Sequence, residues 1–401
     1  AQSGRPGPVW IDIPKDLLLS NVADAPFPQA QSCEPTSPDL KEALAMLRAA
    51  HKPLLYSGGG ISLAHAEETF RAFAESSALP AVVTLKGIGN PGKHNPYNLG
   101  MLGMHGSRAA NKAVDECDLL LVIGARLDDR ATGKLDGFAP KAKLIHIDAD
   151  AAEINKLRDA DLAIRGDLNE ILTSLTEALQ AEPLAIKEWR KQCRTWYTTG
   201  GFHAADNEEP LAPITGPAFV RQLSRIAPDD TIIACDVGQH QMWVAQHYDF
   251  DHPRHHLTSG GLGTMGFGGD GSFMMNAQEL ATIRRYNLPV KLIVMDNQCL
   301  GMVRQQQELF YNNRESQINL DDNPDFVAMA RAFDIPALHI ERTDQIRRGI
   351  ETILAYNGPM LLHVAISREE NVWPIVKPGA SNTDMIDETA RTAKASKEQV
   401  A

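Results

Sequence analysis

Gly269-Asp270-Gly271-Ser272-Phe273 is followed, 27 residues after its aspartate, by Asn297 in Val294-Met295-Asp296-Asn297-Gln298. A carboxylate from Asp270, an amide oxygen from Asn297 and a nearby main-chain carbonyl, for which Cys299 is placed, offer hard oxygens to a cation such as Mg2+. Two phosphate oxygens and a water would complete an octahedron, so the chemistry is that of a magnesium diphosphate. Gly271 lets the backbone approach a phosphate, and the N-terminus of the following helix directs N–H groups at it. A bare Gly-Asp-Gly usually marks only a turn. What gives this one chemical sense is the asparagine closing an apolar strand, because parallel α/β sheets bind ligands at the carboxyl ends of their strands.

Three glycine clusters form a second group: Ser57-Gly58-Gly59-Gly60, Gly100-Met101-Leu102-Gly103-Met104-His105-Gly106, and Gly124-Ala125-Arg126-Leu127-Asp128-Asp129-Arg130. The first and third directly follow apolar runs. None makes a full GxGxxG with an acidic ribose partner, so the usual dinucleotide fingerprint is missing and each cluster alone reads as a turn.

The elements that must position these residues alternate. Apolar runs at Pro53–Tyr56, Ala81–Thr84, Leu119–Ile123 and Lys143–Ile147 are separated by helical patterns at Ala64–Phe73 and Ala151–Leu157, the signature of a parallel, doubly wound sheet. A helix over Asp39–Ala50 precedes them, with Ser37 as N-cap and Pro38 at its first position. This unit closes near Leu179, and 183–215 reads as a long connection with some helix. A second unit starts with a helix at Gly216–Ile226 and has strands at Thr231–Cys235, Val290–Met295, Ala337–Ile340 and Met360–Val364. An opening strand at Val9–Ile13 has no earlier element to pair with, and a Pro-rich linker follows it over 25–38. The expected fold class is α/β, with two doubly wound parallel-sheet domains and a remnant of a third. The boundaries fall at 1–35 (remnant and linker), 36–182 (first domain), 183–215 (linker), 216–378 (second domain) and 379–401 (a polar tail or lid).

The 401 residues suffice for two or three such domains, and 43% hydrophobic with 22% charged residues is ordinary for a globular protein. A net charge of −12 argues against a general nucleic-acid or anionic-membrane surface. The five cysteines, Cys33, Cys117, Cys193, Cys235 and Cys299, show no CxxC or CxxH spacing and read as reduced thiols in a cytosol-like compartment. No apolar run is long enough for a transmembrane helix. The opening Ala1-Gln2-Ser3-Gly4-Arg5 reads like the interior of a longer chain.

Taken together, Gly-Asp-Gly-Ser-Phe with its downstream asparagine resembles the thiamine-diphosphate motif. Gly260-Gly261-Leu262-Gly263-Thr264-Met265-Gly266-Phe267-Gly268 resembles the signature of acetohydroxyacid synthase catalytic subunits, as do Asp236–Gln241, Leu300–Val303, Asn371–Pro374 and Pro378–Ala380. The resemblance spans essentially the whole chain and names the first domain as FAD-binding and the second as thiamine-diphosphate-binding. It implies that Val237, Gly238, Gln239 and His240 hold the diphosphate, with Gly263, Gly271, Ser272 and Met302 alongside. It further implies that Met265 wedges beneath a bent cofactor, where an ordinary core methionine is the alternative; for His240 a plain helix start is the alternative. Lys15 and Gln306 join Met265 as candidate catalytic residues. The glycine clusters would line FAD through Gly58, Gly59, Met104, His105, Gly124, Ala125, Arg126, Asp128 and Arg130, with Asp148, Asp167 and Arg5 also in reach. For Arg126 and Arg130 the alternative is a surface ion pair with Asp128 or Asp129.

The implied reaction is decarboxylation of pyruvate and transfer of its remaining two-carbon unit to a second pyruvate or to 2-oxobutyrate, in branched-chain amino-acid biosynthesis. FAD would be structural. The implied setting is a bacterial cytoplasm, in a homodimer or larger homo-oligomer whose active site lies at the interface, with a regulatory small subunit and with no nucleic acid or membrane partner. Another thiamine-diphosphate enzyme, such as a pyruvate oxidase or decarboxylase, is the alternative, and a non-catalytic cofactor-binding fragment is a third reading. Three departures stand out. The family's tryptophan is Gln306 here, which predicts weaker preference for 2-oxobutyrate and reduced herbicide sensitivity. The pyrimidine-binding domain, with the glutamate that serves the cofactor's pyrimidine, is absent except for its last strand. Gly268 also runs directly into Gly269, where the family has a further helix and the strand that delivers the aspartate. Asp270 would then lack its supporting strand.

Overall fold

The computed structural model describes residues 7–18, 40–200, 202, 209–258 and 267–388. The first sheet is parallel, with β1 (Pro53–Ser57), β2 (Ala81–Val83), β3 (Asn98–Met101), β4 (Leu119–Ile123), β5 (Lys143–Asp148) and β6 (Leu162–Arg165) in the order β3-β2-β1-β4-β5-β6. β1 and β4 are buried along their whole length, as continuous apolar runs covered on both faces must be. The second sheet is also parallel. It contains β7 (Ile233–Cys235), β8 (His256–Thr258), β9 (Phe267–Gly269), β10 (Lys291–Asp296), β11 (Ala337–Ile340) and β12 (Met360–Ala365) in the order β11-β12-β10-β9-β7-β8. The α/β, doubly wound fold class is thus established for both sheets.

Helix starts follow their caps. Ser107 accepts from the Ala110 N–H before Arg108–Glu116, Asp167 accepts from Asn169 and Glu170 before Leu168–Ala181, and Thr215 accepts from Ala218 before Gly216–Ile226. Within the connection 183–215, the helix Lys187–Gly200 buries Trp189 and Cys193 in the first core, and the Trp189 indole donates to the Pro53 carbonyl at 2.9 Å. The ring of Trp243 lies so close to Gly216 that any Cβ there would overlap it, which brings the helices Gly216–Ile226 and Gln239–His247 together.

The structure corrects several sequence expectations. Residues 7–14 form no strand and lie exposed, with Trp10 92% accessible, because the described residues offer them no neighbouring strand. The first long helix begins at Lys41 behind Leu40, which supplies no side-chain cap; Ser37, Pro38 and Asp39 lie outside the described residues. The pattern at Ala64–Phe73 is split into the helices Gly60–Leu63 and Glu67–Ser77 by His65, at φ 52°. Ala151–Leu157 is a run of turns, because Asp148 and Asp150 capture the N–H groups of Asp150 and Ala152 and compete with a helix.

Two corrections bear on the site. The centre of the second sheet is filled: β9 pairs with β10 at three positions and with β7 at Cys235–Phe267, so Asp270 does leave a central strand, although one of only three residues. In addition, 379–388 is not a free tail. β13 (Ile375–Val376) pairs with β14 (Met385–Ile386), and this segment grips the first domain through Lys134 N–H to the Ala380 carbonyl, Asn382 Nδ2 to the Ala131 carbonyl, and an Arg108–Asp387 ion pair. Residues 389–401 lie outside the described residues.

Candidate functional site

In the second sheet the chain goes from β7 to β8 on one side and returns to β9 on the other, so the strand order reverses between β7 and β9. Such a switch point opens a crevice at the carboxyl ends of the strands. Asp236-Val237-Gly238-Gln239 leaves β7 there, Asp270 leaves β9, and Asn297 leaves β10. Asp270, Asn297 and Cys299 are all buried. Asp270 Oδ1 accepts from the Gly271 N–H at 2.9 Å and Oδ2 from Asn323 Nδ2 at 2.9 Å. Asn297 Oδ1 accepts weakly from the Cys299 N–H at 3.3 Å, while its Nδ2 donates to Gln239 Oε1 at 3.2 Å. That bond turns the amide oxygen away from Gln239. The strands thus bring the three sequence-predicted metal ligands to one place.

The electrostatics fit a cation. Burial, aided by the neighbouring Asp296 carboxylate to which Asp270 is hydrogen-bonded, raises the Asp270 pKa to about 7. Asp296 is held below the usual carboxylate range although burial opposes this, because His363, the Gln298 N–H and Asp270 all hydrogen-bond to it. A buried carboxyl pair of this kind is relieved by a bound positive charge. Around it, Gln239 Nε2 also reaches Gln305 Oε1 at 3.2 Å and the Glu370 carbonyl at 3.0 Å. Buried Arg304 pairs with Glu308 at 3.0 Å and with Asn371 Oδ1 at 2.6 Å. Gly301 admits no side chain: a Cβ there would overlap Gln239 Oε1 and lie 2.7 Å from Asn297 Nδ2.

The remaining predicted residues of this site gather nearby. Ser272 Oγ reaches the Val237 carbonyl at 3.4 Å, Val237 is half exposed, and Gly271 faces Leu300 and Leu320. Gly238 stands at φ 158°, a conformation that residues with side chains rarely adopt, and a Cβ there would meet the His240 ring at 2.8 Å. His240 is buried, its Nε2 has no hydrogen-bond partner, and burial pulls its pKa down to about 4, so the ring is neutral. Met302 packs at the edge of the second core and Gln306 is exposed on the helix Gly301–Phe310. Gly263, Met265 and Arg5 lie outside the described residues, as does the side chain of Lys15, which opens the helix Lys15–Leu18.

The first sheet reverses between β1 and β4, and the glycine clusters sit at that point. Gly58 N–H bonds the Ile123 carbonyl at 3.1 Å and Gly60 N–H the Gly124 carbonyl at 2.9 Å. A Cβ on Gly58 would overlap the Gly124 carbonyl and Gly124 itself stands at φ 58°, so the two loops touch only because both are glycine. Gly59 lies over Lys86, and the Ala125 carbonyl meets His146 Nε2 at 3.1 Å. Met104 N–H bonds the Arg130 carbonyl at 2.9 Å and its sulfur lies 3.9 Å from Arg130 Nη1. Buried His105, with no partner for its Nδ1, is kept neutral by burial, its pKa pulled down to about 4. Arg126 makes the alternative ion pair with Asp128, at 3.8 Å and largely exposed, a contact of little energetic weight. Asp148 closes β5 and binds the Asp150 N–H; Asp167 is the N-cap of the helix Leu168–Ala181.

Sequence reasoning passed over Asp296, His363, Asn323 and Gln305. A signal was present for two of them: Asp296 adjoins Asn297, and His363 is a polar residue inside the apolar strand Met360–Ala365. Asn323 and Gln305 come from loop and helix positions that carry no pattern.

Two descriptions of enzyme families match the chain. "Thiamine pyrophosphate enzyme, central domain" covers residues 40–175, and "Thiamine pyrophosphate enzyme, C-terminal TPP binding domain" covers 236–268 and 267–364, the two stretches meeting where Gly268 joins Gly269. The fold and site therefore define a thiamine-pyrophosphate enzyme. The chain is 47% identical to the acetolactate synthase isozyme 2 large subunit of Escherichia coli K12, over 96% of this chain and 73% of that one. It is 40% identical to the isozyme 1 large subunit of the same organism, over 97% and 72%. Identity to the acetolactate synthase large subunit of Parasynechococcus marenigrum is 41%, over 96% and 67%. The chain belongs to the acetolactate synthase large-subunit family. No helix among the described residues is long and apolar enough to cross a membrane, and Cys117, Cys193, Cys235 and Cys299 are free and buried.

Proposed function

We propose that this chain is the catalytic subunit of an acetolactate-forming enzyme that joins two pyruvates, with release of CO2, or pyruvate and 2-oxobutyrate, in branched-chain amino-acid biosynthesis. The observation that carries the reading is the buried Asp270–Asn297–Cys299 cluster at the switch point of the second sheet, in a chain of this family. Thiamine diphosphate, when bound, supplies the electron sink for decarboxylation and carbon–carbon bond formation. The chain's residues bind and orient it. Asp270, Asn297 and the Cys299 carbonyl would hold Mg2+, which would supply positive charge to the diphosphate. Val237, Gly238, Gln239 and Ser272, together with the N-terminus of Asp270–Met275, receive the diphosphate. The orphaned Nε2 of neutral His240 offers one further contact.

FAD is assigned to the first switch point, where the close packing of Gly58 and Gly60 on Gly124 brings two strand-end loops together and Arg126 and Arg130 lie in the adjoining segment. The domain boundaries are proposed at 36–182 and 216–378. A homo-oligomer with a regulatory small subunit, in a bacterial cytoplasm, fits the large-subunit relatives and the reduced cysteines. The deciding experiment gives pyruvate, Mg2+, thiamine diphosphate and FAD to the chain and to its Asp270→Asn variant and analyses products. Acetolactate from the parent, with a loss of about a hundredfold or more in the variant, is expected. Acetaldehyde or peroxide instead would reassign the chain to a decarboxylase or oxidase, and no CO2 release would sink the enzymatic reading.

A further inference from the structure

Strand register lines up a row of polar side chains across the second sheet. Gly269 is the partner of Met295, so the next residues, Asp270 and Asp296, leave β9 and β10 side by side. β12 flanks β10 on the other side, with His363 opposite Val294, and β11 lies beyond it with His339 opposite His363. The side chains follow suit. His363 Nε2 lies 3.0 Å from Asp296 Oδ2, His339 Nδ1 lies 3.0 Å from His363 Nδ1, and His339 Nε2 lies 3.7 Å from Glu341 Oε2 at the surface.

The row is continuous: Asp296 Oδ2, the His363 ring and the His339 ring follow one another at hydrogen-bond distance. The Gln298 N–H holds the other oxygen of Asp296 at 2.9 Å, and Phe326 packs edge-on against the His363 ring at 5.3 Å. Both Asp296 oxygens and the His363 ring plane are therefore constrained. Asp270 Oδ2 accepts from Asn323 Nδ2 at 2.9 Å, and strand register sets the residue beside Asp296.

We propose that His363 is a positioning residue for the cation site: by holding Asp296 Oδ2 it fixes the carboxyl group that stands beside Asp270 at the end of the neighbouring strand. The inference rests on the reading of Asp270 as a cation ligand. Partners one shell out from a metal ligand set its orientation, and losing one typically costs about 10–100-fold in affinity. Neither Asp296 nor His363 need touch the cofactor for this.

The test titrates Mn2+ into the full chain with thiamine diphosphate present, reading bound metal by electron paramagnetic resonance, so that catalytic turnover is not needed. His363→Leu keeps the apolar strand but removes the donor, and its Mn2+ half-saturation is expected to rise about tenfold or more. His363→Asn is too short to reach Asp296 and should behave alike. His363→Gln places an amide nitrogen where Nε2 stands and should bind nearly as the parent does. Leu and Asn variants that bind as tightly as the parent, or a Gln variant as weak as the Leu variant, overturn the proposal. A parent chain that takes up no Mn2+ overturns the cation site and this inference together.

Discussion

The two sheets each open a crevice where their strand order reverses, yet they furnish it with different materials. At the first switch point, between β1 and β4, the lining is backbone: Gly58, Gly60 and Gly124 meet with no room for a side chain. At the second, between β7 and β9, it is side chains: buried Asp270, Asn297, Gln239 and Asp296 with the partly buried His363, interlocked by hydrogen bonds. The first arrangement suits an extended ligand held by shape. The second suits a compact, highly charged one that needs opposite charge at fixed points. One topology thus presents two differently built crevices, and the difference is written in which residues are omitted at one and which are buried at the other.

The contrast breaks most readily at Gly301, a glycine packed against the side chains of Gln239 and Asn297 in the second site. Gly301→Val would drive a branched side chain into Gln239 and Asn297. Misplacing such groups by about 1 Å costs on the order of a hundredfold, so thiamine diphosphate and Mg2+ binding by calorimetry should weaken by that much. If binding is unchanged, the Gln239–Asn297 contact does not shape the site. At the first switch point the expected loss is stability rather than affinity for metal. Gly124→Ala forces a side chain into φ 58° with its Cβ 2.9 Å from the Gly60 Cα, at a cost of about 1–3 kcal/mol. Thermal unfolding should shift down while Mn2+ uptake at the second site stays at the parent level; a loss of Mn2+ uptake would mean that the two sites are not independent.

The smallest effect concerns pH. Folded Asp270 keeps its proton up to about 7, whereas an unfolded aspartate releases it near 4. The folded chain therefore binds more protons in this window, and the carboxyl's contribution to stability is present at low pH and lost as pH rises through about 7. Neutral His105 and His240, whose pKa values burial pulls down to about 4, act with the opposite sign, so the two effects must be separated. The measurement is the melting temperature of the metal-free parent minus that of Asp270→Asn. This difference should fall as pH rises from about 4 to about 7, and Mg2+ with thiamine diphosphate should abolish the fall. A flat difference without metal would show that Asp270 is not strained by its burial.

How much of this was legible in the sequence depended on whether residue type or strand partnership carried the information. Asp270 and Asn297 stood out because a carboxylate and an amide at strand ends are chemically conspicuous. The strands β1, β4, β5, β10 and β12 were readable as apolar runs, because buried parallel strands are apolar on both faces. β9 was not, since Phe-Gly-Gly carries almost no strand preference and becomes a strand only because the backbones of β7 and β10 need a neighbour. The row from Asp296 to His339 was invisible for a related reason: its members are remote in sequence and meet only through register. The exposed N-terminal segment failed in the opposite direction, because Val9–Ile13 has the composition of a strand but finds no neighbouring strand among the described residues.

The grip of 376–387 on the first domain has a consequence for the order in which the molecule can fold. The Ala131 carbonyl receives Asn382, 251 positions downstream, and Asn111 meets the sulfur of Met385, 274 positions downstream. The Met104 and Ala380 carbonyls make similar closures, with Val376 and Lys134. Met104, Asn111, Ala131 and Lys134 thus gain these partners only once residues 376–385 are in place. A nascent chain released or cleaved before this point would carry a folded first sheet with an unsealed flank.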